Sequence, residues 1–292
     1  MKIALFATYF SEDHEEYYME LLGRLSYHNF TITIYRPFYE QLVQKHLVSP
    51  DTETFENNQE LRNGVDYLFS IGGDGTLLKT ISLIKDSEIP ILGFNTGRLG
   101  FLSSISKDEI SEAITNILDN RFIIERRSLI KIETPPKLFG ENNFALNEIT
   151  VHKRDSSSMI HIHAYINNVF LNTYWADGLI VSTPTGSTAY SLSCGGPILT
   201  PDSENFIITP IAIHNLTVRP IVVPDNVTIK LKIEGRIDNY LVTLDSNNVV
   251  TSSSIELEIK KENFQIKLVN FPNKPFFSTI REKLMWGWDK RN

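Results

Sequence analysis

The apolar residues of this chain change their spacing near residue 121. Before that point, short apolar runs alternate with segments in which apolar residues recur every three or four positions. Strands that alternate with helices predict a parallel α/β sheet. After that point, segments with an apolar residue at every second position follow one another between turn residues, which predicts antiparallel strands. We therefore expect an α/β N-terminal domain followed by a mainly antiparallel β C-terminal domain.

The length of the chain agrees with this division. A chain of 292 residues corresponds to about two domains at roughly 150 residues each. We predict an α/β domain over residues 1–121 and a β-rich domain over residues 122–272. A helical pattern near the end predicts that residues 273–292 return to the first domain.

The spacing also predicts individual elements. In the first domain we expect strands at 3–7, 31–35, 67–71 and 89–94, and helices at 12–25, 76–84 and 110–118. In the second domain we expect strands at 160–164, 227–233, 240–244 and 255–259, and the terminal helix at 278–286.

Composition excludes several classes of protein. Hydrophobic residues make up 41% and charged residues 22%, which is typical of globular proteins and excludes disorder, collagen and coiled coil. A net charge of -7 is unsuited to binding duplex nucleic acid, which requires a dense basic face. The single cysteine, Cys194, forms no internal disulfide and indicates a reducing compartment, so we expect a cytoplasmic protein.

One long segment is almost free of charge. Between Ser156 and Pro201 the only charged residue is Asp177. The segment is rich in Ser, Thr, Asn, Gly and Pro, whose polar groups and turns exclude a membrane span. We therefore expect no membrane partner.

The first motif that carries chemistry is Gly-Gly-Asp-Gly at residues 72–75. It lies between a predicted strand and a predicted helix, an arrangement that brings backbone N–H groups up to a phosphate. Asp74 then lies at the carboxyl end of a parallel strand, where α/β sheets bind ligands. A carboxylate there accepts a proton from a hydroxyl or holds a metal ion. The alternative is an ordinary turn, since Asp and Gly favour turns.

The second motif is the run of hydroxyl residues and glycines that follows Asp177, from Gly178 to Pro197. Hydroxyls and backbone amides recognise ribose, amide and phosphate groups without a cation, and Asp177 is suited to accepting from a ribose hydroxyl. The alternative is a Ser/Thr-rich loop. A strand, a Pro-Thr-Gly turn and a helix-compatible stretch in succession favour the binding site.

The third motif is Asn147-Glu148 within a predicted strand. Together these side chains offer donors and acceptors for an adenine or ribose edge. Alone, the pair is more typical of an exposed strand face than of a binding site. His161 and His163 share one strand face, but no third metal ligand is evident, so we expect no protein metal site there. The chain lacks a Walker A loop, and it also lacks the HExxH, CxxC and GxSxG patterns.

The three motifs together resemble those of the NAD kinase family. Residues 72–75 are similar to its GGDG motif, residues 147–148 to its NE/D motif, and residues 183–198 to its TPTGSTAYSLSxGGPI segment. The stretch 93–102 also resembles the family's glycine-rich run after GGDG. GGDG alone also occurs in lipid kinases and phosphofructokinases, whereas the long segment is specific.

The resemblance implies an activity and its reactants. It implies transfer of the γ-phosphoryl group of ATP to the 2′-hydroxyl of the adenosine ribose of NAD, with a divalent cation such as Mg²⁺. It implies an α/β domain and a β domain with the dinucleotide between them. It also implies a homodimer or homotetramer. Two alternatives remain open at this stage, a GGDG-type lipid kinase and a catalytically silent NAD(P)-binding sensor.

The resemblance also assigns site residues. It implies that Asp74 is the general base and that Gly75 approaches the dinucleotide through its backbone. Lys79 stands where many relatives have a basic residue, although a solvated helix lysine is an equal alternative. The implied dinucleotide-binding residues are Asn147, Glu148, Asp177, Thr188, Ala189, Tyr190, Ser191, Leu192, Ser193, Ala212 and Asn247.

Two positions depart from the family pattern. Two residues before Asp177, where relatives often have Arg or Lys, this chain has Trp175. The change removes one cation from the expected site. The family's Asp-Gly-Gln corresponds to Asp245-Ser246-Asn247, which is why Asn247 is expected to bind.

Overall fold

The computed structural model describes residues 1–62, 64–97, 100–103, 105–154, 159–234 and 239–286, and the chain divides into two compact units. The first unit contains Met1–Arg126 and Ile266–Asn292, and the second contains Arg127–Gln265. The domain division expected from the sequence, with boundaries after residues 121 and 272, stays a prediction.

The elements alternate early and then become mostly strands. The strands are β1 Lys2–Phe6, β2 Thr31–Tyr35, β3 Glu53–Phe55, β4 Tyr67–Ile71, β5 Ile91–Phe94, β6 Ile123–Thr134, β7 Phe144–Ala145, β8 Glu148–Lys153, β9 Ile160–Ile166, β10 Val169–Ala176, β11 Gly178–Ser182, β12 Asn205–Ile211, β13 Ile221–Pro224, β14 Ile229–Glu234, β15 Asn239–Leu244, β16 Asn247–Ser252 and β17 Leu257–Asn270. The α-helices are α1 Glu15–Tyr27, α2 Arg36–Gln44, α3 Asn58–Leu61, α4 Asp74–Ile84, α5 Ile110–Leu118, α6 Tyr190–Ser193 and α7 Phe276–Leu284. Short 3₁₀ helices cover Glu12–His14, Lys107–Glu109 and Thr185–Thr188.

The first unit is built on a parallel sheet. Its strands lie in the order β3-β2-β1-β4-β5, and all neighbours are parallel. Leu268 near the end of β17 pairs in parallel with Ile91 of β5. Strands β1, β4 and β5 are almost wholly buried, as expected for a parallel sheet covered by helices, whereas β2 and β3 at the edge are partly exposed. Helix α5 buries one face, formed by Ile110, Ala113, Ile114 and Ile117.

The second unit contains two sets of antiparallel strands. One sheet has the order β13-β12-β11-β8-β15-β16. Strands β10, β9, β14 and the first part of β17 pair next to one another, also antiparallel. Apolar side chains from both sets form one core, and β14 shows the alternation clearly because Ile229, Leu231 and Ile233 are buried while its lysines are not. The predicted α/β and antiparallel β fold class is confirmed.

Element boundaries follow the local signals to different degrees. Strands β2 and β4 have the predicted bounds. The predicted helix at 12–25 begins as a 3₁₀ turn and continues as α1 to Tyr27. The terminal helix α7 begins one residue after Pro275, because proline fixes φ at the start of a helix and lacks the N–H that a later position needs.

Candidate functional site

Asp74 lies where two neighbouring parallel strands end. Strand β4 ends at Ile71, and helix α4 begins at Asp74 after the Gly72-Gly73 turn. Gly72 has φ +147°, and a Cβ there would lie 2.8 Å from the Cβ of Thr76. Only glycine suits both the conformation and the space. The turn therefore places Asp74 in the first turn of α4, at the carboxyl edge of the sheet.

The carboxylate of Asp74 is held by the loop that follows β5. Its Oδ2 accepts the backbone N–H of Phe101 at 2.8 Å. Its Oδ1 accepts the N–H groups of Leu102 at 3.1 Å and Ser103 at 3.0 Å. A carboxylate offers about four acceptor positions, so the described residues leave one position on Oδ2 for a ligand.

Gly100 makes this contact possible. A Cβ on Gly100 would lie 2.7 Å from Oδ2 of Asp74 and closer still to Oδ1 and Cγ. The glycine-rich stretch noticed in the sequence therefore serves to seat the Asp74 carboxylate. Arg98 and Leu99 of that stretch lie outside the described residues.

Lys283, near the other end of the chain, lies close enough to Asp74 for the charge of that carboxylate to affect its pKa. Burial lowers the pKa of Lys283 in the last turn of α7, while the negative charges of Asp74 and Glu282 act in the opposite direction. Lys283 follows the buried Ile280 by three positions and so shares its helix face. Within the described residues Lys283 forms no ion pair. Lys283 was not predicted as a site residue, because no local pattern in the sequence links residues so far apart.

Lys79 occupies a different position. It is exposed on α4, between the buried Leu77 and Thr80. Five residues of α-helix turn the side chain about 140° from that of Asp74. The alternative of a solvated helix lysine therefore gains support, and a binding role for Lys79 stays a prediction.

In the second unit, Asn147 and Glu148 are bonded to the Thr-Pro-Thr-Gly segment. The N–H of Thr183 donates to the carbonyl of Asn147 at 2.9 Å. The hydroxyl of Thr183 donates to the carbonyl of Leu146 at 2.5 Å. A Cβ on Gly186 would lie 2.5 Å from the carbonyl carbon of Asn147. The second and third sequence motifs thus form one structure.

Asp245 completes this structure from the turn between β15 and β16. Its Oδ2 accepts the N–H of Leu146 at 2.9 Å, and its Oδ1 accepts those of Asn147 at 2.8 Å and Glu148 at 3.2 Å. Its own N–H donates to the carbonyl of Glu148 at 3.1 Å. The turn reaches the surface, but desolvation of the carboxyl group raises the pKa of Asp245.

Glu148 is a buried acid with an unmet hydrogen-bonding atom. The residue is 8% exposed, and its Oε2 has no hydrogen-bond partner among the described residues. Burial, and then the charge of Asp245, raise the pKa of Glu148 to about 8, although the N–H of Tyr190 donates to its carboxyl group. Perturbed acids of this kind are common at functional sites.

Tyr190 brings the predicted dinucleotide-binding residues together. Burial raises the pKa of its phenol, with further contributions from Cys194, Asp177 and Glu148. Tyr190 starts helix α6 and is 42% exposed, so its ring is available to a ligand. Asp177 is not isolated, because its Oδ1 lies 2.5 Å from Nζ of Lys153.

The other residues implied by the resemblance differ in how far they are exposed. Ser191 is fully buried, and its hydroxyl is bonded to that of Thr209 at 2.9 Å. Ala212 is exposed, has φ +47°, and follows Ile211, whose carbonyl accepts the N–H of Asp177. Thr188, Ala189 and Leu192 are half-buried, and Ser193 and Asn247 are exposed. Binding roles for these residues stay predictions.

Trp175 supplies an aromatic surface where relatives often carry a cation. It is 50% exposed on β10 and stacks on His161, with ring centroids 4.7 Å apart and an interplanar angle of 16°. His163 instead contacts Thr173, with Nδ1 2.8 Å from Oγ1, and Glu234, with Nε2 3.3 Å from Oε2. Among the described residues, no three His, Cys, Asp or Glu side chains form a metal cluster.

No helix in the described part of the chain is long and apolar enough to span a bilayer.

Comparisons with known proteins agree with the geometry. The family model of the ATP-NAD kinase N-terminal domain matches residues 5–122, and that of the ATP-NAD kinase C-terminal domain matches residues 146–271. The chain is 45% identical over 294 residues to the NAD kinase of Flavobacterium johnsoniae and 48% identical over 292 residues to that of Cytophaga hutchinsonii. In both cases the match covers 100% of each chain.

Solved structures give the same result. An NAD kinase from Archaeoglobus fulgidus in complex with ATP has a TM-score of 0.74 at 27% identity, and the match covers 98% of this chain and 99% of that one. Yeast NADH kinase complexed with NADH has a TM-score of 0.85 at 24% identity, with 99% and 89% covered, and shows the fold. Matches over the whole length of named relatives leave neither a lipid kinase nor a silent sensor as the better interpretation. This chain therefore belongs to the NAD kinase family of phosphotransferases, which transfer the γ-phosphoryl group of ATP to the 2′-hydroxyl of the adenosine ribose of NAD.

Proposed function

We propose that Asp74 is the general base of this reaction. The ribose 2′-oxygen attacks the γ-phosphorus of ATP, the bond from that phosphorus to the bridging β–γ oxygen breaks, and ADP leaves with the electron pair. The proton of the hydroxyl passes to the carboxylate of Asp74. The observation that carries this assignment is the free acceptor position on Oδ2, in a carboxylate otherwise fixed by three backbone N–H groups.

The fixed carboxylate suits a reaction that depends on positioning. Phosphoryl transfer needs little covalent chemistry from the protein, and catalysis comes from orientation and charge neutralisation. An aspartate held by three hydrogen bonds loses little freedom when the substrate binds. Among the described residues, no atom outside its own helix backbone and chain neighbours lies within 4 Å of a Cβ built on Gly75, which lies in the first turn of α4, where backbone N–H groups bind anions.

The dinucleotide is bound by the second unit in this proposal. Asn147 and Glu148 provide donors and acceptors, Asp177 accepts from a hydroxyl, and the exposed ring of Tyr190 stacks on a flat group of the ligand. The supporting observation is that Tyr190 is electrostatically coupled to both Glu148 and Asp177. Thr188 to Ser193, Ala212 and Asn247 are the further proposed contacts.

A divalent cation, with Mg²⁺ the expected ion, is proposed to accompany ATP. Mg²⁺ is bound in such sites by substrate phosphates, water and one or two carboxylates rather than by a protein cage. The remaining acceptor position of Asp74 is assigned to the ribose 2′-hydroxyl, so substrate phosphates and water would hold the ion. When bound, the ion neutralises charge on the triphosphate.

Self-association as a homodimer or homotetramer and a cytoplasmic location are also proposed. The first is supported by the family resemblance. The second is supported by the single cysteine, a half-buried free thiol.

The experiment that tests the base assignment is a coupled assay. Purified protein is mixed with NAD, ATP and Mg²⁺, and NADP is measured with an NADP-specific dehydrogenase. Removing a positioned base costs about 10²–10⁴-fold in turnover, so we expect Asp74→Asn to bind NAD normally by calorimetry and to turn over that much more slowly.

The matched control is Asp86→Asn, at an exposed aspartate of the same unit that pairs with Arg62. It should leave turnover unchanged. A folded Asp74→Asn protein with near-normal turnover would refute the base assignment.

A further inference from the structure

The second unit contains two adjoining carboxyl groups without a cation. Glu148 and Asp245 lie close enough for the charge of Asp245 to raise the pKa of Glu148. Within the described residues neither carboxyl group forms an ion pair, whereas the buried Asp225 of the same unit lies 2.5 Å from Nζ of Lys261. Two such acids rarely ionise together, because each charge disfavours the other.

The hydrogen bonds decide which acid keeps its charge. Burial raises the pKa of Asp245 as well, but the three backbone N–H groups that it accepts act in the opposite direction and favour its carboxylate over that of Glu148. Glu148 accepts one, from Tyr190, and its Oε2 receives none among the described residues. The proton that the pair shares at neutral pH therefore resides on Glu148.

A neutral Glu148 has a hydrogen to donate. Its Oε2 is buried but has no partner among the described residues, and an unpaired buried polar atom carries an energetic cost. The atom belongs to one of the residues proposed to bind the dinucleotide. A ligand that brings an acceptor to Oε2 would remove this cost.

We infer that Asp245 positions the Asn147-Glu148 turn for dinucleotide binding, and that Glu148 binds NAD as a neutral acid that donates a hydrogen bond from Oε2 to an acceptor atom of the ligand. The inference rests on the proposed dinucleotide site and adds the protonation state and the residue that sets it. Asp245 is a positioning residue, because it acts through the backbone of residues 146–148.

Two other titratable groups near Glu148 bear on a titration of NAD affinity against pH. Tyr190 and Cys194 both face Glu148, and burial raises the pKa of the phenol and of the thiol, which moves both away from the pKa of Glu148. The pKa of Glu148 is about 8. Below that pH the acid can donate, and above it the carboxylate can only accept.

The first test is calorimetric titration with NAD between about pH 6 and pH 9.5, on the full chain. For wild type we expect a constant Kd below pH 8 and a Kd that rises about tenfold per pH unit above it, as expected when one proton is required. Glu148→Gln, whose amide stays neutral and donates, should bind within about threefold of wild type at pH 7 and lose the pH dependence. Glu148→Ala should bind at least about tenfold more weakly.

The second test addresses Asp245. Asp245→Asn removes the charge beside Glu148 and replaces one acceptor oxygen, so the KM for NAD should rise about tenfold while kcat at saturating NAD is retained. Loss of the charge should also move the midpoint of the NAD-affinity titration to lower pH. A merely structural role would not move that midpoint. Asp225→Asn, which breaks a buried ion pair elsewhere in the unit, should lower stability and leave both the KM and the midpoint unchanged.

The outcomes separate this inference from the proposed function. If wild type binds NAD more tightly as pH rises above 8, or if Glu148→Gln binds as weakly as Glu148→Ala, the neutral acid is refuted. If Asp245→Asn shifts neither the KM nor the midpoint, its positioning role is refuted. Failure of Asp74→Asn to slow NADP formation would refute the base assignment and leave these binding results unaffected.

Discussion

A Cβ at Gly100 would clash with the carboxylate of Asp74, since it would lie 2.7 Å from Oδ2 and nearer still to Oδ1. Gly100→Ala should therefore push the carboxylate out of place. A displacement of about 1 Å at a reacting group can cost about 10²-fold. We expect kcat to fall by about that factor in the NADP assay while NAD binding is retained.

Gly97→Ala is the matched control for this variant. Among the described residues, no atom outside its chain neighbours lies within 4 Å of a Cβ at that position, and Gly97 belongs to the same loop. Its turnover should equal that of wild type. Equal turnover by Gly100→Ala would mean that the observed seat of Asp74 is not needed for the reaction.

Lys283 gives a prediction about the phosphoryl donor. It brings a positive charge to the neighbourhood of Asp74 and has no ion-pair partner among the described residues. The positive charge of such a lysine attracts the triphosphate group of ATP. We expect Lys283→Gln to raise the KM for ATP about tenfold, or about 1.4 kcal/mol, in steady-state kinetics with saturating NAD.

Two further variants make the Lys283 result specific. Lys283→Arg keeps the charge and should keep most of the ATP affinity. Lys107→Gln removes an exposed lysine that pairs with Glu16, and should leave the KM for ATP unchanged. A tenfold loss in Lys107→Gln would trace the effect to net charge rather than to position.

The raised pKa of Glu148 predicts how stability depends on pH. The group titrates near 4.5 when unfolded and near 8 when folded, so between these values the folded state binds more protons. The stability that this proton supports is complete below about pH 4.5 and is lost as pH rises toward 8. Glu148→Gln should therefore have a higher free energy of unfolding than wild type at pH 8, and a similar one at pH 4. Urea denaturation at the two pH values measures this, and a less stable glutamine variant at pH 8 would contradict it.

Gly186 gives a prediction about stability alone. A Cβ there would lie 2.5 Å from both the carbonyl carbon of Asn147 and the hydroxyl of Ser182. Overpacking of this kind typically costs about 1–3 kcal/mol, so Gly186→Ala should unfold at a lower urea concentration. Gly23→Ala, in α1 with no atom within 4 Å of the new Cβ, should instead raise stability by about 0.5–1 kcal/mol. A Gly186→Ala protein as stable as Gly23→Ala would show that the turn can relax.

The sequence predicted elements well where one local signal decides them. Strand β2 alternates threonine with isoleucine before Tyr35, and β4 is an apolar run, interrupted only by Ser70, between Asp66 and Gly72; the bounds of both agree with the prediction. Helix α2 and strand β3 were not expected, because their residues carry mixed signals that tertiary packing resolves.

The site was predictable only in its motif residues. Asp74, Asn147 and Glu148 lie within short recognisable patterns. Asp245 accepts the N–H groups of residues 146–148, which precede it in the chain by 97–99 positions, and no rule of sequence spacing connects them. The ion pair of Asp177 with Lys153 was likewise missed, because the pairing depends on where β8 and β11 lie side by side.

The carboxylates of Asp74 and Asp245 each collect three consecutive N–H groups from a distant loop. This arrangement limits how the site can be transplanted by protein engineering. Grafting only residues 146–148 onto another scaffold would transfer the motif without the Asp245 carboxylate that holds its backbone in place. The smallest unit that can be transferred contains the loop, its distant aspartate and the glycine that leaves space for it. Three chain segments must therefore be moved together.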